Sequence, residues 1–435
     1  MRVPLRMSIL TSLLPGLLAL PALAMRASQR VSAEGKECLA CHESTTPAAV
    51  EQWRRSRHAT ASVDCYACHK ANPTDPATFD HYGKKIAVIV SPNYCGRCHQ
   101  KEVDQFEASH HAQAAKFIGS LDNVLGEVVE GSPAAINGCM QCHGSTVKYL
   151  GEGKFDPATW PNSGIGRVNP DGSKGTCAAC HGRHAFSSAQ ARQPENCGKC
   201  HMGPDHPQAE IYAESKHGIQ FRAHIRQMNL ESKRWIVGKD YYSAPTCSTC
   251  HMSATSTQPI THDVGERISW TLRPVISIKL ENWEKKRAAM KDVCSNCHAT
   301  GWVENFYKQY DLTVDLYNEK FAKPAKATID KLRADGKLSA TPFDEKIEWT
   351  FYELWHHEGR RARMGTAMMG PDFTQWHGFY EVAKHFYNEF LPEADHLQPG
   401  ISKAVLAEDW HRWKAGLKPE EMKQILEFYQ QRYKQ

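Results

Sequence analysis

The sequence has no cysteine to spare, no large excess of either charge, and no long apolar run beyond its first two dozen residues. Each absence excludes something. Lys and Arg number 53 against 48 Asp and Glu, a net charge of +5 over 435 residues. The two signs are interleaved, so nothing calls for a nucleic-acid partner. Past residue 24 no segment is apolar for long enough to span a bilayer, and the mature chain is expected to lack a transmembrane anchor. The length suits one large domain or two ordinary ones.

The single apolar run, Ile9 to Leu20, follows Arg2 and Arg6 and precedes Ala22-Leu23-Ala24, a small-x-small cleavage site. It is short and interrupted by Pro15 and Pro21. Residues 1–24 therefore read as a signal peptide, and the mature protein is expected to be soluble and periplasmic. Many cysteines in an exported chain would ordinarily mean a disulfide framework. Here their spacing overrides that inference.

All sixteen cysteines fall in C-x-x-C-H units. The first four are Cys38-Cys41-His42, Cys65-Cys68-His69, Cys95-Cys98-His99 and Cys139-Cys142-His143. The second four are Cys177-Cys180-His181, Cys197-Cys200-His201, Cys247-Cys250-His251 and Cys294-Cys297-His298. Two thiols one short turn apart reach the two vinyl groups of a haem, and the histidine that follows faces its iron. Zinc would need a second cysteine pair at a matching spacing to close four ligands. Nothing in a zinc site requires a histidine after every second cysteine. The pattern implies eight covalently bound haem c groups, with the eight unit histidines as proximal iron ligands.

Of 23 histidines, eight are used in the units, which leaves fifteen as candidate distal ligands. Three stand in an internal repeat: Trp53-x-x-Ser56-x-His58-Ala59, Phe106-x-x-Ser109-x-His111-Ala112 and Tyr212-x-x-Ser215-x-His217-Gly218. It reads as the end of a short helix, with the aromatic packed on a haem and the histidine reaching an iron. Four further candidates are His184, three residues after His181; His81, ahead of the apolar run Ile86 to Val90; His262, within Thr261-His262-Asp263; and His357, preferred over His356 on an expected helix. The alternative for each is a solvated or core histidine. His110, His224, His377, His385, His396 and His411 are left unassigned. Seven distal ligands for eight irons leave one position open. A bis-histidine haem only moves electrons, whereas a five-coordinate haem binds and transforms a small molecule.

The expected fold is mainly α: a multihaem cytochrome c with short helices and long loops, followed by a C-terminal bundle of long helices. Residues 25–300 form the haem-binding domain. Their Gly- and Pro-rich stretches, such as Asn72-Pro73 through Pro76, need little protein core, because stacked porphyrins supply an apolar interior. Residues 301–435 form a helical domain. Phe306, Tyr310, Val314, Tyr317 and Phe321 recur at helical spacing. Pro324 is expected to interrupt that helix, and Gly336 to cap the next. Ile347, Phe351, Leu354 and Trp355 mark another helix, Trp376, Tyr380, Ala383 and Phe390 one more, and Lys418-Pro419-Glu420-Glu421 opens the last.

Several stretches, taken in order, carry a resemblance. They are Gly203-Pro204-Asp205-His206-Pro207 with Ser215-Lys216-His217-Gly218, then Ala244-Pro245-Thr246 before the seventh unit. Thr261-His262-Asp263-Val264-Gly265 and Ile268-Ser269-Trp270 follow, then Arg361 through Pro371 with Trp376-His377-Gly378. With eight units and a long-helix tail, the chain resembles the hydroxylamine oxidoreductase family over essentially its whole mature length. The resemblance implies that the fourth haem, on Cys139, Cys142 and His143, is open and catalytic. It implies that the other seven are bis-histidine relays, and that C-terminal helices build a homotrimer. It also implies that Asp205 and His206 are the distal pair that handles protons. Without it, Asp205-His206-Pro207 is only a turn after the sixth unit.

One departure bears on direction. Family members that oxidise hydroxylamine carry a tyrosine cross-linked to the catalytic haem of a neighbouring subunit. It aligns with the position after Met369-Gly370-Pro371-Asp372, and this sequence has Phe373 there. Relatives lacking the tyrosine look like reductases. The expectation is an oxidoreductase that reduces nitrite or hydroxylamine, fed by a redox partner cytochrome or a quinol-linked donor. Nitric oxide and ammonium both stay open as products. Rival readings are oxidation of hydroxylamine or hydrazine, and a pure electron conduit in which His206 itself binds iron. Pentahaem ammonia-forming nitrite reductases fit poorly, because all eight units end in His. Tetrathionate reduction has no support.

Overall fold

The computed structural model describes residues 30–72, 74–117, 124–432 and 434. The signal-peptide reading of residues 1–24 lies outside them. Up to Cys297 the chain is made of short helices and loops. Several helices are the C-x-x-C-H unit itself: Cys65–His69, Cys139–His143 and Cys247–His251. Their starts are set locally. Asp64 accepts the Ala67 N–H, while Thr246 and Thr249 form a reciprocal capping box. Helices this short do not persist alone in water, so what their side chains bind must hold them. Three two-stranded hairpins are seen among the described residues: Thr78–His81 with Lys84–Ala87, Tyr149–Gly151 with Lys154–Phe155, and Trp270–Thr271 with Ile278–Lys279.

From Thr300 onward the helices are long. Thr300–Tyr317, Asn318–Ala322 and Lys323–Ala334 run on without a break. Pro324 does not interrupt the helix as its sequence position suggested. A π turn over Asn318–Ala322 shifts the bonding by one residue just where Pro324 has no N–H to give. Gly336 does end it, at φ 67°. Two more continuous helices follow. One joins Lys346–Tyr352, Glu353–Glu358 and Gly359–Ala367. The other runs from Pro371–Thr374 through to Leu391–Leu397.

These helices close on a core of Tyr317, Phe321, Ile329, Leu332, Ile347, Leu354, Val382, Phe386 and Phe390. Val275 and Ile276, from the loop before the eighth unit, pack against it. Trp270 joins Val303, Tyr307, Tyr310 and Val314 in a second cluster. The final helix, Pro419–Arg432, buries none of its residues. Among the described residues no helix is long and apolar enough to cross a membrane.

Arg363 ties the loop to the helices. It is 0 % exposed and stacks over Tyr317 at 4.1 Å. Its guanidinium donates to Gly359 O, Pro274 O, Ser277 Oγ and Trp355 O at 2.7, 3.0, 2.6 and 3.2 Å. Arg363→Leu removes all four of these donations, those to the buried Gly359 O and Ser277 Oγ included, and is expected to cost about 3 kcal/mol or more. Denaturant unfolding followed by circular dichroism reads this. An unchanged midpoint would contradict the role.

Candidate functional site

The three-fold repeat is a junction: each aromatic stands in the last turn of one helix, as the sequence suggested, and the serine opens the next. Trp53 lies in Pro47–Arg54, and Ser56 then caps Arg57–Thr60 by accepting the Ala59 N–H. His58 sits two residues past the cap. Tyr212, Ser215 and His217 repeat this across Gln208–Glu214 and Lys216–Ala223, with Ser215 accepting the Gly218 N–H. Ser109 opens the 3-10 turn His110–Gln113, though its hydroxyl donates back to Phe106 O. Serine is a strong N-cap because its short side chain reaches the orphaned N–H groups.

The repeat brings histidines face to face across large sequence separations. His58 pairs with His99 at 6.3 Å between ring centroids, His111 with His201 at 6.1 Å, and His217 with His298 at 6.1 Å. His42 and His81 stand 6.3 Å apart. A metal bonded to both imidazoles at about 2.0 Å on each side holds the centroids about 6 Å apart. His184 is the charge neighbour of His69, and His262 that of His181. The donor set therefore fits haem iron. Burial, above all, pushes His111 and His201 down to about 4, so both rings are neutral, as a metal ligand must be.

The unit histidines are also oriented from behind. Nδ1–H donates to Ala87 O from His69 at 2.9 Å, to Val264 O from His251 at 3.2 Å, and to Ala114 O from His143 at 3.3 Å. His42 Nδ1 is 2.8 Å from Thr46 Oγ1, and His201 Nδ1 is 3.4 Å from Gln208 Oε1. Engaging Nδ1 reserves Nε2 for the iron and fixes the ring. None of the sixteen cysteines is in a disulfide.

Cysteines of neighbouring units are electrostatic neighbours. Cys38 is paired in this way with Cys65 and Cys68 with Cys95, while Cys95 and Cys177 are within hydrogen-bond reach. The path continues through Cys180 with Cys197, Cys197 with Cys247, and Cys250 with Cys294. The fourth unit joins it at the sixth, where Cys142 meets Cys200.

The Asp205–His206 pair lies at that junction. His206 is a charge neighbour of Cys142, and its ring is 6.1 Å from that of His201. Its Nδ1 is 2.6 Å from Asp205 Oδ1. Arg360 donates to the other oxygen, Oδ2, at 3.4 Å. Burial works against the charge on Asp205, but the hydrogen bond to His206 and the charges of His206, His356 and Arg360 outweigh it, and its pKa falls. The long helices buttress the pair. Gln208 Nε2 donates to Met364 Sδ at 3.3 Å, and Gly370 packs so tightly on Ile211 that a Cβ would lie 2.6 Å from its Cγ2.

The structure also places two further histidines. His357, offered as a distal ligand, has His356, Asp205, Arg361 and Arg360 around it. Those are the surroundings of the Asp205 pair. Burial first, then His356, push its pKa down to about 4. His110, left unassigned, lies against Gly265, where a Cβ would be 3.4 Å from its Cδ2. Asp263 is its charge neighbour, and the same loop receives the Nδ1–H of His251 through Val264 O. The signal was present: consecutive residues on a 3-10 turn differ by about 120°, so His110 and His111 serve different neighbours.

A family profile described as "Seven times multi-haem cytochrome CxxCH" matches residues 167–343, and one described as "Cytochrome c554 and c-prime" matches residues 94–182. The chain is a multihaem c-type cytochrome that binds haem c covalently. Beyond that class, the similarities run to proteins described in terms of hydroxylamine oxidoreductase. It is 30% identical over 244 residues to a probable nitrite reductase-hydroxylamine oxidoreductase fusion protein of Kuenenia stuttgartiensis. That match takes in 50% of this chain but only 25% of the relative. Among solved structures, a hypothetical multiheme protein superposes with a TM-score of 0.74 at 27% identity, covering 88% of this chain and 96% of its own. A reducing HAO-like protein complex of Kuenenia stuttgartiensis shares the fold, at a TM-score of 0.64 and 22% identity, over 86% of this chain and 87% of its own.

If every unit carries a haem, intact-mass measurement gives the chain plus eight haems, and no thiol reacts with an alkylating reagent. A reactive cysteine pair would mark a unit that stays empty.

Proposed function

We propose that this chain is a periplasmic octahaem oxidoreductase that reduces nitrite or hydroxylamine at an open haem on Cys139, Cys142 and His143. The observation that carries this reading is the Asp205–His206 pair, held by Arg360 and set beside Cys142. Haem c there supplies electrons and an iron able to take the substrate nitrogen. The protein's side chains supply the protons and the charge. Ionised Asp205 accepts the Nδ1–H of His206 and fixes its tautomer, which leaves Nε2 to exchange a proton with the substrate. Arg360 places positive charge at the pair and favours an anion such as nitrite. His357, neutral, is a further charge neighbour of Asp205.

We assign His81, His184, His58, His262, His111, His110 and His217 opposite His42, His69, His99, His181, His201, His251 and His298. His143 is then the open unit. Ring spacing supports four of these pairs and electrostatic neighbourhood two. The seventh, His110 with His251, rests on their shared loop. Phe373 supports the reductive direction. It sits half-buried in the short helix Pro371–Thr374 and has no phenolic oxygen for a cross-link. The name of the Kuenenia relative, which joins nitrite reductase to hydroxylamine oxidoreductase, supports the substrate class. Electrons enter from a cytochrome or quinol-linked donor and follow the chain of units. The exposed Met422, Ile425, Leu426 and Tyr429 of the last helix are at helical spacing and suit a homotrimer contact. A second reading, the electron conduit, needs a second histidine on the iron held by His143, and His206, the charge neighbour of Cys142, is the candidate.

Asp205→Asn is expected to slow reduction of nitrite and hydroxylamine with a viologen donor by roughly 10²–10⁴-fold at unchanged haem content. Hydroxylamine oxidation faster than either reduction would contradict the direction. His110→Ala is expected to add one high-spin haem to the electron paramagnetic resonance spectrum, and His357→Ala none. The reverse outcome would return His357 to the ligand set.

A further inference from the structure

The long helices hold a carboxylate–imidazole cluster that the proposed reaction does not use. Glu353 and Glu358 mark the two ends of the π turn Glu353–Glu358. Bonding from i to i+5 brings those two positions onto one face, and such turns recur at functional sites. His385 reaches them from the neighbouring helix segment Glu381–His385, with Nδ1 2.6 Å from Glu358 Oε1. One donor atom from each of Glu353, Glu358 and His385 lies within 4.8 Å of the others. Glu389 Oε1 stands 3.7 Å from His385 Nε2.

Proximity alone would not make this a site. The second observation is Glu358 itself. It is 3 % exposed, and its Oε2 has no hydrogen-bond partner. A buried carboxylate oxygen without a donor is costly, and a cation would offset that cost. The nearby cation, Arg361, has its Nη2 on Glu381 at 2.6 Å. Glu353 is exposed and opens the cluster to solvent.

We propose that Glu353, Glu358 and His385 bind one divalent first-row cation of the Zn²⁺ type. One imidazole nitrogen with carboxylate oxygens suits Zn²⁺ better than Ca²⁺ or Mg²⁺, which favour all-oxygen shells. The ion pins the helix ending in Gly359–Ala367 to its neighbour. That helix carries Arg360, so the site braces the element that holds Asp205. The inference does not rest on the proposed activity.

The test uses fully haem-loaded protein, treated with a chelator and then titrated with Zn²⁺ in a calorimeter. The wild-type chain is expected to bind one more Zn²⁺ than Glu358→Gln, and Glu353→Gln to bind it at least about tenfold more weakly. Haem absorbance stays unchanged in both variants. Equal stoichiometry and affinity in the wild type and Glu358→Gln would overturn the site. If Glu358→Gln fails to fold, the exposed Glu353→Gln decides alone, and wild-type affinity there overturns it.

Discussion

In the ligand set we propose, two imidazoles on one iron are the constraint on which the rest of this chain depends. Rings 6.1–6.3 Å apart tie His42 to His81, His58 to His99, His111 to His201 and His217 to His298. Each pair joins segments that share few other contacts. The helices that carry them are often only four or five residues long and have no stability of their own. Before Cys297 the largest apolar cluster among the described residues is a modest one, Tyr212, Phe221, Met228, Trp235, Val237, Tyr241 and Ala244, and in the proposed arrangement covalent attachment and iron ligation stand in for a larger core. The carbonyls of Ala87, Ala114 and Val264 complete the arrangement from behind by fixing which nitrogen each ring offers.

The same economy shapes the path between units. Neighbouring cysteines run from the first unit to the third, cross to the fifth, and continue to the eighth, with the fourth attached at the sixth. A branch of this kind separates a place where chemistry happens from a line along which electrons pass. Asp205 and His206 stand at the branch, and the long helices hold them there through Arg360, Met364 and Gly370. The C-terminal helices thus position the pair.

What was legible in the sequence follows from how rigid each chemical requirement is. Haem attachment needs two thiols and a histidine at one spacing, so every unit could be read directly. The aromatic rhythm of Tyr310, Val314, Tyr317 and Phe321 announced a buried helix face. Distal ligands were harder, because a lone histidine acquires its role from the fold. The repeat exposed three of the candidates. His110, which we propose as one more ligand, stands outside the repeat register, on a 3-10 turn that sends neighbouring residues in different directions. Pro324 misled because a π turn absorbs it. Nothing in the sequence marks Arg363 and Glu358 as buried; packing does that.

The measurement that tests the central claim most directly is addition of nitrite to the resting, fully haem-loaded protein while the spin state of every haem is followed. One open unit beside Asp205 and His206 predicts that a single haem per chain changes, and that the other seven stay low-spin and unaltered. No change at all would mean that every iron already has two histidines, and the chain would then be an electron conduit.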